Sequence, residues 1–101
     1  MPGESAEEAA DGPARLYLLW IDPTAQGEAI DLNGDGHPLA DGLWLVRSAL
    51  DRSGLYHRIK WQLPEGAALL LAPLADRRDG WPKFKGLAPG ALAWLRAGKA
   101  G

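Results

Sequence analysis

The run Leu16-Tyr17-Leu18-Leu19-Trp20-Ile21 is apolar at even and odd positions alike, so a strand made from it has no face to give to water. Gly42 to Arg47 and Ala67 to Leu74 share that character. A sheet of such strands needs cover on both sides. The chain has 101 residues, 47% of them hydrophobic, which suits one domain with a core that does not need disulfides. A domain this small is short of material for two layers of cover, so the second face is expected to pack on another copy of the chain.

Composition closes several routes. There is no cysteine, which excludes a disulfide framework, a thiolate zinc site and a cysteine nucleophile. Residues 1–13 carry Glu4, Glu7, Glu8 and Asp11 among Ala and Gly, opposite in charge to a secretory or transit leader. They read as a disordered acidic tail, followed by a single α+β domain over 14–98 and a short tail over 99–101. No apolar run approaches the roughly 20 residues of a membrane helix, so a soluble cytoplasmic protein is expected. The net charge of -2 offers no global attraction to nucleic acid, which leaves only a local patch for that purpose.

The first strand ends at Asp22-Pro23, where proline removes a donor and holds its neighbour extended. Thr24 to Asp41 is rich in turn formers, with Ala29 to Leu32 as its one short strand and Asn33-Gly34-Asp35-Gly36 as a turn. After the strand Leu43 to Val46 the period changes. Leu55, Ile59 and Leu63 make one stripe of an amphipathic helix, capped by Asp51 or Ser53 and ended by Pro64. The third strand, Ala67 to Ala72, is stopped by Pro73. A loop over Asp76 to Gly86 leads to a last helix with Pro89 in its first turn, Leu92 and Leu95 inward, and Gly98 at its end. The strand, helix, strand unit from Leu43 to Leu74 suggests a parallel pair with a right-handed crossover. The predicted fold is α+β, a three or four-stranded sheet with two helices on one face.

The order of Gly42-Leu43-Trp44-Leu45-Val46, Leu55-Tyr56-His57-Arg58-Ile59, Gly66 to Leu71, Gly86-Leu87 and Ala93-Trp94-Leu95 resembles a group of small uncharacterised ferredoxin-like proteins. Their fold is similar to that of the CRISPR-adaptation nucleases and the virulence-associated D-type ribonucleases, which are homodimers. The resemblance spans Arg15 to Arg96. It implies an abbreviated ferredoxin-like fold, with a hairpin in place of the first helix, and a metal-binding acid at Asp22. Such an enzyme would use the partner's Asp22 as its second carboxylate.

Other candidate residues follow from chemistry. Asp31, Asn33 and Asp35 match the first half of a calcium loop, but Pro38 and Gly42 stand where an apolar residue and a bidentate carboxylate are needed. A turn between strands explains the same residues. His57 and Trp61, at i and i+4, lie opposite the Leu55 stripe and mark a contact surface. Arg77, Arg78, Lys83 and Lys85 interleave with Trp81 and Phe84, cations for phosphates and rings for bases, as a single-strand binding surface requires. The alternative is a surface loop whose rings fold back over the core while its cations stay hydrated.

The reading that best fits these residues is a dimeric interaction or regulatory domain without a catalytic site or cofactor of its own. Its contact residues are His57, Trp61, Arg77, Arg78, Trp81, Lys83 and Lys85, and its partners a second copy and another protein. The alternatives are a metal-dependent endoribonuclease or nucleic-acid-binding protein using Asp22 and the basic loop, and a calcium-binding protein using the loop from Asp31 to Asp41.

Overall fold

The computed structural model describes residues 14–25, 30–87 and 89–99. The expected tail over 1–13 lies outside them, as do residues 100 and 101. The chain folds into a four-stranded sheet with two helices, an α+β fold as expected. The elements are β1 (Arg15–Ile21), β2 (Gly34–Ala40), β3 (Leu43–Ser48), α1 (Arg52–Gln62), β4 (Leu69–Leu74) and α2 (Ala91–Lys99). The full ferredoxin-like series carries a helix between its first two strands. Here the described residues of that stretch hold one 3-10 turn, Pro23–Ala25.

The strand order is β2-β3-β1-β4 and every pairing is antiparallel. The expected side-by-side parallel pair of β3 and β4 is corrected: β1 lies between them. They run parallel to each other only because each is antiparallel to β1, a split strand, helix, strand unit. The physical reason is the apolar character of β1. A strand greasy on both faces is best placed where both neighbours pair with it and both faces are covered.

Cover comes from the two helices on opposite faces, not from two helices on one. Tyr17, Leu19, Ile21 and Val46 pack with Leu55 and Ile59 of α1. Leu16, Leu45 and Leu39 pack with Ala91 and Leu95 of α2. Alternate residues of a strand face opposite ways, so these two clusters lie on the two sides of the sheet. The apolar loop residues Trp81, Phe84 and Leu87 extend the α2 layer. The second face is thus covered within one chain, which removes the reason given above for a dimer through that face.

Local chemistry explains each boundary. Asp51 caps α1, its Oδ1 accepting from Gly54 N at 2.7 Å. Leu55 and Ile59 are fully buried, at about 2 kcal/mol each. That burial matters, since an isolated helix shorter than about 12 residues does not persist in water. Strand β2 falls where turn residues predict a loop. Its Gly34-Asp35-Gly36-His37-Pro38 has poor strand propensity, and pairing with β3 imposes the extended form. A Cβ at Gly34 would collide with the carbonyl of Arg47, so glycine there permits the close approach. The hairpin turn needs Gly42, at φ 78°, and the register shift between Pro38 and Ala40 accommodates the proline at an edge.

Proline does not stop β4 either: the strand runs through Pro73 to Leu74. Asp22 N donates to Ala68 O at 3.0 Å, and the register pairs Trp20 with Leu70. By alternation, Leu70, Ala72 and Leu74 turn their N–H and C=O groups toward β1, whereas Leu69, Leu71 and Pro73 turn theirs to the open edge. The nitrogen that proline cannot use as a donor therefore points away from the ladder, and β1 loses nothing.

Helix α2 also differs in detail. Ala91 and Leu95 are its buried residues, while Leu92 is exposed, and the helix continues through Gly98 to Lys99. Gly98 serves Arg47: a Cβ there would collide with the guanidinium. Arg47 donates from Nε and Nη2 to Asp76 at 2.9 and 2.8 Å, and from Nη1 and Nη2 to the carbonyls of Trp94 and Leu95 at 3.2 and 2.9 Å. Its charge also lies 4.8 Å from the centre of the Trp94 ring.

Tyr17 is buried and its hydroxyl donates to Leu50 O at 2.9 Å, tying β1 to the approach to α1. Burial raises its pKa above the ordinary 10.0. The unfolded chain therefore ionises first, so the stability Tyr17 contributes is full below pH 10 and is lost as pH rises beyond it. Tyr17→Phe is expected to cost about 1 kcal/mol at neutral pH and to flatten the alkaline fall in stability. Urea unfolding from pH 7 upward checks this, and an alkaline fall as steep as that of the wild type would contradict it.

Candidate interaction surface

The acidic residues proposed as metal ligands are not brought together. Asp22 Oδ1 accepts from Thr24 N at 3.0 Å and from Thr24 Oγ1 at 2.8 Å, capping the turn after β1. Asp31 Oδ1 accepts from Asn33 N at 3.0 Å, and its Oδ2 pairs with Arg58 at 2.7 Å. Asn33 takes the left-handed conformation at φ 53°, which asparagine tolerates better than most residues. Asp35 points the other way and accepts from Trp94 Nε1 at 2.7 Å. Among the described residues no group of three His, Cys, Asp or Glu side chains is placed to hold a metal ion.

The basic loop divides its residues. Trp81 is half-buried, donates from Nε1 to Asp76 at 3.0 Å and packs on the α2 side of the core with Phe84. Its rings serve the core. Arg77, Arg78, Lys83 and Lys85 are exposed, and Arg77 pairs with Asp79 at 3.1 Å. The loop therefore presents its cations while its rings pack on the core, the alternative arrangement that the sequence offers to a stacking platform.

His57 and Trp61 lie on the outer face of α1, as the Leu55 stripe implies. Trp61 is 76% exposed, the largest exposure of any large apolar side chain described. Its ring centre is 5.7 Å from that of His57, which in turn meets Tyr56 edge-on at 5.3 Å. His57 Nδ1 lies 2.9 Å from Ser53 O, an arrangement that places the ring proton on Nδ1. Lys60 lies 5.9 Å from the Tyr56 ring centre.

This aromatic row borders a groove between α1 and β4. Its lower part, about 560 Å³, is lined by Tyr56, Lys60, Trp61 and Leu63 on one side and by the chain from Pro64 to Leu69 on the other. Its upper part is lined by Arg52, Ser53, Tyr56 and Leu71. The open edge of β4 forms the rim. Across the sheet, on the α2 face, Leu70 and its cross-strand neighbour Trp20 are uncovered as well, 54% and 37% exposed. Among the described residues, four of the five exposed large apolar side chains, Trp20, Tyr56, Trp61 and Leu70, thus gather round one strand edge. The sequence marks Trp61 by its place opposite the helix stripe. It does not mark Leu70 or Trp20, because nothing in the spacing says which strand ends the sheet.

No family model, curated protein or solved structure matches this chain. No helix among the described residues is long and apolar enough to cross a membrane.

The two exposed-face and loop tryptophans are expected to behave differently. Trp61→Ala should change stability by less than about 0.5 kcal/mol, the usual range for surface substitutions. Trp81→Ala should cost about 2 kcal/mol, because it removes a half-buried ring and a partner of Asp76. Urea midpoints of the two variants test this, and equal midpoints would show that Trp81 is not part of the core.

Proposed function

We propose that this chain is an interaction module whose contact surface is the open edge of β4 together with the groove that α1 forms beside it. One observation carries the reading: a strand edge with backbone N–H and C=O groups turned outward is ringed by exposed apolar side chains. Monomeric proteins normally blunt such an edge with charges or cover it. Here the blunting is limited to Pro73. Addition of an extended segment as a fifth strand satisfies the outward groups, and the groove offers its alternate side chains a place against Tyr56 and Trp61.

Exposed tryptophan and tyrosine are the side chains on which interface energy concentrates. His57 lies beside Trp61, the two ring planes tilted by 48°. The basic residues Arg77 and Arg78 follow the end of β4 in the chain and are exposed.

The test is selection from a library of displayed extended peptides on the chain immobilised at low density. Selected peptides are expected to alternate apolar and polar positions. Their binding should fall at least about tenfold with Trp61→Ala, the loss of one hot-spot ring, and should vanish with Leu70→Lys. A library that yields no more on the wild type than on Leu70→Lys would overturn the reading.

A further inference from the structure

The occupant of this edge follows from which backbone groups it offers. Leu69 and Leu71 each turn both an N–H and a C=O outward, whereas Pro73 turns out only a C=O. The Ala67 N–H is already given to Pro64 O at 3.1 Å. An antiparallel partner strand that exchanges full pairs with Leu69 and Leu71, and asks for no donor beyond them, matches this edge.

Resting on the reading above, we propose that the partner is a second copy of this chain, paired antiparallel through β4 with the two-fold axis beside Leu70. In that register Leu69 of each copy faces the partner's Leu71, which closes four backbone hydrogen bonds. Two-fold registers centred on Leu69 or Leu71 also close four bonds but set a carbonyl of Leu71 or Leu69 against a nitrogen that cannot donate, whereas the Leu70 axis pairs every outward group of both residues and leaves only the carbonyls of Ala67 and Pro73 unmet. The two sheets become one of eight strands.

Charge supports the same arrangement. Exposed Glu65 precedes β4, and exposed Arg78 follows it, the neighbouring Arg77 being paired with Asp79. Antiparallel self-pairing sets the acidic end of one strand beside the basic end of the other, while parallel pairing would set like against like. Apolar contact supports it on both faces. On one face Leu70 meets the partner's Leu70, flanked by both Trp20 rings. On the other, the partner's Leu69 and Leu71 complete the groove against Tyr56 and Trp61. The uncovered parts of Trp20, Tyr56 and Trp61 come to about 300 Å² if each side chain offers about 200 Å². Leu70 and the strand itself add to this, which falls short of the roughly 800 Å² per partner of a standard interface. The dimer is therefore of the small, weak class and forms at micromolar concentration.

The chain has no cysteine, so one introduced thiol reports on the axis directly. Leu70 and the partner's Leu70 form a pair without mutual hydrogen bonds, about 4.5 Å apart at Cα, within the reach of a disulfide. Ala72 and the partner's Ala72 are about 13 Å apart along the strands, beyond that reach. In oxidised glutathione the full chain carrying Leu70→Cys is expected to form a covalent dimer, and Ala72→Cys is not. Light scattering should show the wild-type mass rising toward the dimer with concentration and Leu70→Lys staying monomeric, with circular dichroism confirming that each variant is folded. Equal cross-linking of both cysteine variants, or of neither, overturns the proposed register. A monomeric wild type that still selects peptides overturns the second copy alone, and one that selects none overturns the strand-edge reading as well.

Discussion

A single guanidinium holds the two halves of this fold together. Arg47, 8% exposed, uses four N–H donors, two on the Asp76 carboxylate and two on carbonyls of α2. Asp76 is further tied to Trp81, and Trp94, beneath the Arg47 charge, is tied to Asp35 of β2. Strand β3, the loop after β4, helix α2 and strand β2 all meet at this one side chain. A nine-residue helix is too short to persist alone and buries only Ala91 and Leu95 outright. Without the clamp it has little to fix its place on the sheet.

That placement settles what is closed and what is open. With α1 on one face and α2 with the loop on the other, the two-sided strands are covered inside one chain. Cover is uneven, however. Helix α2 packs over Leu16, Leu45 and Leu39 and leaves Trp20 and Leu70, beside the open edge, uncovered. Ser48 closes the β2 side, its hydroxyl donating to the carbonyls of Leu32 and Asn33 and accepting from Leu50 N. Asp31, Arg58 and Gln62 seal that side against α1. Among the described residues no comparable polar lock lies along β4, and the interaction surface is what remains.

Much of this was legible in the sequence. The Leu55 and Ile59 stripe, the Asp51 cap and three of the strands follow from periodicity and local chemistry. Strand β2 was not legible, because its Gly and Pro residues are extended by pairing with β3 rather than by their own preference. The split of the helices between two faces was hidden for a related reason. Its cause is a charged residue at the end of an apolar strand, and neither Arg47 nor Asp76 announces the other across 29 positions. Pro73 reads as a stop only if its nitrogen is taken to face the ladder, and the strand order decides that it does not. Of the surface, Trp61 and His57 could be found by their helix face. The loop tryptophan looked alike in sequence and serves the core instead.

Hydrogen exchange on Arg47→Met, compared with the wild type, tests the clamp most directly. Methionine keeps the apolar stem and removes every donor, leaving the Asp76 carboxylate and the α2 carbonyls without their cation. If Arg47 holds α2, the amides of α2 should lose most of their protection, while those of β1 and α1 keep theirs. Protection of α2 equal to that in the wild type would show that burial of Ala91 and Leu95 holds the helix, and that the clamp does not.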